Sequence, residues 1–524
     1  MAASFRKMPV GIQDFEKLRT VGYEYVDKTS YIYHLGQEYR PYFLGRPRRF
    51  GKSLFISTLK AYFEGKKELF EGLAIAELER EWIEYPVIYI DFNVGSNDCL
   101  LSVEISLCAI LDRYEEIWGI TEKYDHLSVR LGTLIATAYK KSGKKVVVLV
   151  DEYDKALVNT MDDPKIHHEL RTFFKGFYGV LKGMDYALRF VFLTGVTKFA
   201  KVSVFSDLNQ LIDISLIDKY AEICGISENE LLTQFQPELH QLAKATGKSY
   251  EDTVSEVKKR YDGYQFAQIG SRMYNPFSLL STFLHNQYAY YWFKTGTTTF
   301  LAQTLQNEVF DIRKFDNDIT IAARSIDEYR AGETSLTPLL YQSGYLTIKS
   351  YDASLDAFTL GFPNEEVKYG FLNELLPAFI PRWGLDDSFS VITFIKAVRG
   401  GDVDEFMHLL KAYYASIPYD LEEHKDKDEK YYQLICYLLF TNMGQFMETE
   451  VKSCRGRADA VVKTADSIYV FEFKMDDNAT AEEALLQIER KGYLIPYSTD
   501  QRRLVKIGVE VSKAQRGIKR WVVR

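Results

Sequence analysis

Apolar residues are distributed along this chain in two different ways. In the first 200 residues they gather in short continuous runs, Tyr42-Phe-Leu-Gly45, Pro86-Val-Ile-Tyr-Ile-Asp-Phe92, Lys145-Val-Val-Val-Leu-Val-Asp151 and Arg189-Phe-Val-Phe-Leu-Thr-Gly195. Such runs read as strands, and an unbroken aliphatic run such as 146–150 suits a parallel sheet buried on both faces. Between the first two, Leu54-Phe-Ile-Ser-Thr-Leu-Lys-Ala-Tyr-Phe63 reads as a helix. From about Ser227 the spacing becomes helical, with apolar positions three and four apart in 228–235 and 250–261. At Tyr274-Asn-Pro-Phe277, Asn275 is placed as an N-cap and Pro276 as the first helical residue. Thr337-Pro-Leu-Leu-Tyr-Gln-Ser-Gly344 predicts a helix stopped by glycine, followed by a hairpin over 345–350 and 357–361. The end of the chain predicts a helix (430–440), three strands (446–452, 457–463, 467–475), a helix (479–491) and a strand (504–511).

At 524 residues the chain exceeds what one hydrophobic core supports, so several domains are expected. The 46% hydrophobic and 26% charged content is that of a folded globular protein. The aliphatic run 146–150 is far short of the roughly 18–20 apolar residues a membrane helix needs, and the first residues have no secretory pattern. A cytoplasmic location without membrane contact is expected. Cys99, Cys108, Cys224, Cys436 and Cys454 lack the close pairing of a zinc knuckle or disulfide scaffold and read as reduced thiols. Adjacent His167 and His168 point about 100° apart on a helix, unsuited to chelation, and are expected at the surface. The net charge of −8 confines any polyanion contact to local basic clusters. One candidate is 501–524, where Arg502, Arg503, Lys506, Lys513, Arg516, Lys519, Arg520 and Arg524 face the single acid Glu510. It reads equally as a solvated tail or a nucleic-acid contact.

The strand, loop and helix around Arg46-Pro-Arg-Arg-Phe-Gly-Lys-Ser53 are the context of a phosphate-binding loop. There, backbone N–H groups at a helix N-terminus cradle phosphates, a lysine reaches the terminal ones and a hydroxyl reaches magnesium. Gly51, Lys52 and Ser53 fit these roles, with Arg46, Arg48 and Arg49 as further phosphate ligands. The first glycine of G-x-x-x-x-G-K-[ST] is missing: Arg46 stands there and Gly45 comes one residue early. Asp151 and Glu152 close a buried strand as a Walker B pair, Asp151 for magnesium and Glu152 for the attacking water, with Asp154 as an accessory. A further strand in the chain between loop and acids, with a glutamate directly after the aspartate, resembles the additional-strand ATPases, including the AAA+ group.

Gly11-Ile-Gln-Asp-Phe15, Tyr25-Val-Asp-Lys-Thr29, the arginine-rich loop, Asp151-Glu-Tyr-Asp154 and Tyr274-Asn-Pro-Phe277 together resemble the bacterial AAA-ATPase-like family. The resemblance covers roughly the first half of the chain and implies ATP as the nucleotide. It places Thr194, or Lys198 nearby, in the sensor region, and no arginine finger is assigned.

The charge-dense stretch 420–430 reads as a linker before a new domain. If a tight turn at Ala465-Asp466 joins two strands, paired residue numbers sum to 931, and Asp459 lies across from Glu472. Their Cβ atoms are then roughly 5 Å apart. Two carboxylates so close favour a cation between them, and magnesium prefers such oxygens. Lys474 shares the strand face of Glu472 and is placed to position water or to offset charge on phosphate. A one-residue slip would undo this arrangement.

Gly456-Arg-Ala-Asp459, Phe471-Glu-Phe-Lys474 and Gln487-Ile-Glu-Arg-Lys-Gly-Tyr493 resemble the PD-(D/E)XK nuclease superfamily, in the form commonly fused to this ATPase family. The resemblance implies Asp459 and Glu472 as metal ligands, Lys474 as catalytic lysine, and Gln487 facing the site supported by Tyr493. It also implies an acid from the first helix, Glu429, with Glu450 as competitor.

The expected fold is α/β throughout. It comprises an AAA+-like P-loop ATPase domain (1–220), a helical lid (221–300), a winged-helix module with connecting helices (301–415), a charged linker (416–430) and a restriction-endonuclease-like domain (431–524). The wing is read either as a DNA contact or as a domain joint. The expected function is ATP binding and hydrolysis coupled to magnesium-dependent cleavage of nucleic acid, DNA before RNA. The alternative is an ATP-controlled switch whose nuclease-like domain binds nucleic acid without cutting. Oligomerisation is left open.

Overall fold

A computed structural model describes residues 6–198, 210–293, 315, 319–326, 336–379, 390–415, 437–444, 448–451, 458–512, 514–515 and 517–524. The chain divides into two compact units, Met1–Thr295 with Asn317–Val367, and Gly296–Asp316 with Lys368–Arg524.

The first unit is built on a five-stranded sheet in the order β2-β3-β4-β1-β5, with β1 (Pro41–Gly45), β2 (Val87–Asp91), β3 (Val146–Asp151), β4 (Leu188–Gly195) and β5 (Ile212–Asp213). All its pairings are parallel. β3 and β4 are buried at every position, as an interior parallel strand covered on both faces must be. The strand inserted between β1, which leads into the Gly51-Lys52 loop, and the acid-bearing strand β3 is β4. The run at 86–92, which lies between them in the chain, becomes the edge strand β2. The helix Lys52–Phe63 packs over β3 and β4.

The helices Glu228–Gln234, Gln236–Thr246, Tyr250–Tyr261 and Pro276–His285 enclose a separate apolar cluster that includes Leu231, Phe235, Leu239, Val257 and Leu279. Asn275 caps the last of them through the N–H of Ser278, with Pro276 in the first turn. A ribbon of β6 (Ile226–Ser227) and β7 (Met273–Tyr274) ties the ends of this helical group together. The helix Thr337–Ser343 ends at left-handed Gly344 and leads into β9 (Thr347–Asp352) and β10 (Ala357–Gly361). A strand absent from the pattern reading, β8 (Ile319–Ala322), pairs with β10 to complete a three-stranded sheet.

The second unit carries a sheet in the order β11-β12-β13-β14-β15, with β11 (Glu448–Val451), β12 (Ala460–Lys463), β13 (Ser467–Met475), β14 (Arg503–Ser512) and β15 (Gly517–Val523). Only β13 and β14 run parallel. Tyr469, Phe471 and Phe473 of β13 face one core, and Ile468 and Val470 face another, as strand alternation requires. The first of these cores also contains Phe394, Phe406, Leu410 and Tyr413 from the helices Val391–Arg399 and Val403–Ala415. A boundary at 416–430 therefore cuts through one core: helices on both sides of that stretch bury their apolar faces on the same sheet. The linker stretch itself lies outside the described residues.

Candidate functional site

Two groups of chemically competent side chains emerge, one in each unit. In the first, the chain leaves β1 and turns through Arg49 and Gly51, at φ of 68° and 92°, to start the helix at Lys52. A Cβ on Gly51 would meet nothing within 4 Å, so the glycine is needed for the turn and the space above it is open. No side chain caps this helix N-terminus, which leaves a site suited to an anion. Lys52 is buried, and its ammonium donates to the carbonyls of Arg46 at 2.9 Å and Pro47 at 3.1 Å. Burial lowers its pKa, while Glu152, Asp151 and Asp154 act in the opposite direction.

Asp151 ends β3 fully buried. Its Oδ1 accepts the hydroxyl of Thr194 on β4, and its Oδ2 makes no hydrogen bond. Burial raises its pKa against the hydroxyls of Thr194 and Ser53. A buried carboxylate oxygen without a donor, beside Ser53, is a fitting donor set for magnesium. Glu152 follows in the left-handed region at φ 50°, a conformation that costs an ordinary residue roughly 1–2 kcal/mol. Its Oε2 lies 3.5 Å from the ammonium of Lys155, which donates to Asn93 at 2.7 Å. Lys155 and Asn93 carry no motif, and the sequence reading passed over both.

Of the two sensor candidates, Thr194 faces Asp151, whereas the ammonium of Lys198 pairs with Asp213 on β5. Asp154 is buried and accepts the N–H of Val196 and both the N–H and hydroxyl of Thr197, so it anchors the loop after β4. Arg46 is a correction. Its guanidinium donates to the carbonyls of Gly45, Ser215 and Tyr220, with Phe266 stacked 4.3 Å away. With 1% of its surface exposed it is a strut rather than a phosphate ligand. Arg49 is exposed, its guanidinium 4.8 Å from the Phe277 ring, and the carbonyl of Arg48 accepts the Trp292 indole N–H at 3.2 Å. His167 is a second correction: it is buried and hydrogen-bonded to the carbonyl of Leu157, while His168 is exposed.

In the second unit, β12 and β13 pair as Ala460 with Phe471 and Val461 with Val470, the register read from the turn length. Asp459 therefore stands next to Glu472, and its Oδ2 accepts the N–H of Phe473 at 2.9 Å. Glu472 is buried, and its Oε1 accepts from Lys474 at 2.8 Å and from the Gln487 amide. Its Oε2 has no donor. Burial, reinforced by the charge of Asp459, pushes its pKa up to about 7. Gln487 also donates to the Tyr493 phenol at 3.3 Å. Asp459, Glu472, Lys474, Gln487 and Tyr493 are thus brought together. The pair Asp459 and Glu472, with one unpartnered oxygen, fits a hard divalent cation. No group of three or more His, Cys, Asp or Glu arranged to hold a metal ion exists among the described residues. Glu429 lies outside them, and only the backbone of Glu450 is described, paired with Val461.

The described part of the basic run is mostly built into β14 and β15, and four of its eight cations sit beside acids: Arg502 with Asp500 at 2.6 Å, Lys506 with Glu489 at 2.6 Å, Lys519 with Glu510 at 2.7 Å, Arg520 with Glu482 at 2.5 Å. Glu482 and Glu489 lie on the preceding helix, so a local charge window misses them.

Comparison with known proteins gives two family matches, a model described as "Predicted AAA-ATPase" over residues 9–205 and one for the PD-(D/E)XK nuclease superfamily over residues 427–521. A protein of Azotobacter chroococcum mcd 1, described as "Uncharacterized protein in vnfD 5'region", is 34% identical over 533 aligned residues, covering 99% of each chain.

Proposed function

The chain belongs to the family of AAA-ATPase-like proteins that carry a C-terminal PD-(D/E)XK nuclease superfamily domain, and from that premise we propose that it hydrolyses ATP in the first unit and cleaves nucleic acid, DNA before RNA, in the second. The observation that carries this reading is shared by both sites: each holds a buried carboxylate with one oxygen fixed by hydrogen bonds and the other left without a donor, at Asp151 and at Glu472.

In the ATPase site, Gly51 and the helix start cradle the phosphates, Lys52 leaves its loop carbonyls for the terminal phosphate, and Ser53 and Asp151 hold magnesium. Glu152 orients water and takes its proton, with Thr194 fixing the neighbouring carboxylate. In the second site, Asp459 and Glu472 hold magnesium, whose contribution when bound is to offset charge on the phosphodiester and favour the ionised form of water. Lys474 places positive charge beside the reacting phosphate, and Gln487 keeps the Glu472 carboxylate turned.

The deciding experiment incubates the purified protein with DNA and, separately, RNA, with magnesium, with and without ATP, beside Asp459→Ala and Lys474→Ala. Cleavage lost in both variants is expected. Cleavage unchanged in both overturns the assignment, and no cleavage of any substrate by the native protein leaves an ATP-controlled binding protein as the reading.

A further inference from the structure

Glu510 is the lone acid in a basic run, and its position in the sheet explains its presence there. In the parallel pairing of β13 with β14, Glu472 stands beside Gly508, and Lys474 stands beside Glu510. These two rows are one alternation apart on β13, so they share a face of the sheet. The helix Ala481–Arg490, which carries Gln487, docks on that face. It approaches so closely at Gly508 that a Cβ there would lie 2.1 Å from the carbonyl oxygen of Ala481 and 2.8 Å from the nitrogen of Leu485. Only glycine allows that seating.

The start of the same helix is then gripped from the sheet. Thr480 and Glu483 form a capping box that satisfies two of the helix's own N–H groups. Ala481 lies outside that arrangement, and its N–H donates to Glu510 Oε2 at 3.3 Å. The other oxygen of Glu510 is held by the ammonium of Lys519 on β15 at 2.7 Å. Glu510 is buried, and a negative charge at the first turn also complements the helix dipole. β14 thus fixes the helix at two points, Gly508 by contact and Glu510 by a hydrogen bond. The side chain delivered by that placement is Gln487, whose amide holds Glu472 Oε1 and leaves Oε2 free.

We infer that Glu510, braced by Lys519, is a positioning residue for the second site: it sets the helix that presents Gln487 to Glu472 and so tunes the affinity of the carboxylate pair for a divalent cation. The inference rests on the reading of Asp459 and Glu472 as metal ligands. A hydrogen-bonding partner behind a ligand commonly changes metal affinity or activity about 10- to 100-fold.

Magnesium alone, titrated calorimetrically into the nucleotide-free full-length protein with Asp151→Asn present in every sample so that the first site takes no part, provides the test. Gln487→Ala and Glu510→Ala should each weaken binding about tenfold, and the double variant should lose no more than either single one, because both act through one contact. Glu510→Gln keeps an oxygen for the Ala481 N–H and should stay within about twofold of native. If Glu510→Ala does not melt cooperatively, Glu510→Asp, which withdraws the carboxylate by one methylene, makes the same comparison. Native affinity in Glu510→Ala, or in Glu510→Asp where that variant stands in for it, or losses that multiply in the double variant, overturns the inference. Asp459→Ala separates the two levels. If it binds magnesium as the native chain does, the metal-site reading falls and this inference with it; if it loses binding while Glu510→Ala does not, only the inference falls.

Discussion

Asp151 and Glu472 are both buried strand carboxylates with one oxygen engaged and one without a donor, yet they are assembled in different ways. Asp151 is held by the neutral hydroxyl of Thr194, in a parallel sheet that collects Gly45, Asp151 and Thr194 at the carboxyl ends of three strands far apart in the chain. Glu472 is held by a cation and an amide, and its carboxylate neighbour Asp459 comes from the adjacent antiparallel strand. A parallel site is gathered by topology and an antiparallel one by register. A buried carboxylate site can therefore be built from distant strand ends or from a single hairpin, and only the second is set by local spacing.

The sharpest way to break the comparison is to remove the group proposed to direct water in the first site and a proposed metal ligand of the second. Glu152→Gln should lower ATP turnover by about 10²- to 10⁴-fold in a phosphate-release assay while nucleotide binding persists. Turnover at the native rate would remove Glu152 from the chemistry. Asp459→Ala should cost several kcal/mol of transition-state stabilisation, read as at least about a hundredfold loss of cleavage with ATP hydrolysis unchanged.

A pH titration distinguishes the sites further. The pKa of Glu472 is raised to about 7, so its proton must leave for a cation to bind, and magnesium affinity should rise as pH increases through about 7. The stability effect has the opposite sign in metal-free protein. A raised carboxylate pKa favours the folded state fully below the unfolded value near 4.5, and that contribution is lost as pH rises through about 7. Glu472→Gln should remove this slope from melting temperatures recorded across pH 4 to 8, and a slope that persists would assign the titration elsewhere.

The smallest expected effect concerns the arginine-rich loop. Arg46→Ala should destabilise the fold by about 2–4 kcal/mol through three lost carbonyl contacts and the Phe266 stack, read as a lower melting temperature. Exposed Arg49→Ala should stay within about 0.5 kcal/mol in stability, so that any change it causes appears in ATP affinity. Equal melting shifts for the two would contradict the strut assignment.

The elements rich in local information were legible in the sequence. The apolar runs of β3 and β4 announced interior strands, Asn275-Pro276 announced a helix start, and the turn length fixed the pairing of β12 with β13 and with it the meeting of Asp459 and Glu472. The elements missed were those whose reason lies far along the chain. β8 has little pattern until β10 pairs with it, and the helices Val391–Arg399 and Val403–Ala415 belong to a core completed more than fifty residues later.

Local pattern, then, determined the strands and helices with strong periodicity, the register of one hairpin, and the residue types suited to phosphate and metal. These depend on side-chain alternation, turn length and chemistry within a few residues. Tertiary structure alone decided that Arg46 is a buried strut, that Asp154 anchors a loop, that β4 separates β1 from β3, and that Glu510 grips the helix bearing Gln487. A buried polar group must find its partner wherever the fold places one, and in each of these cases the partner lies on a different element.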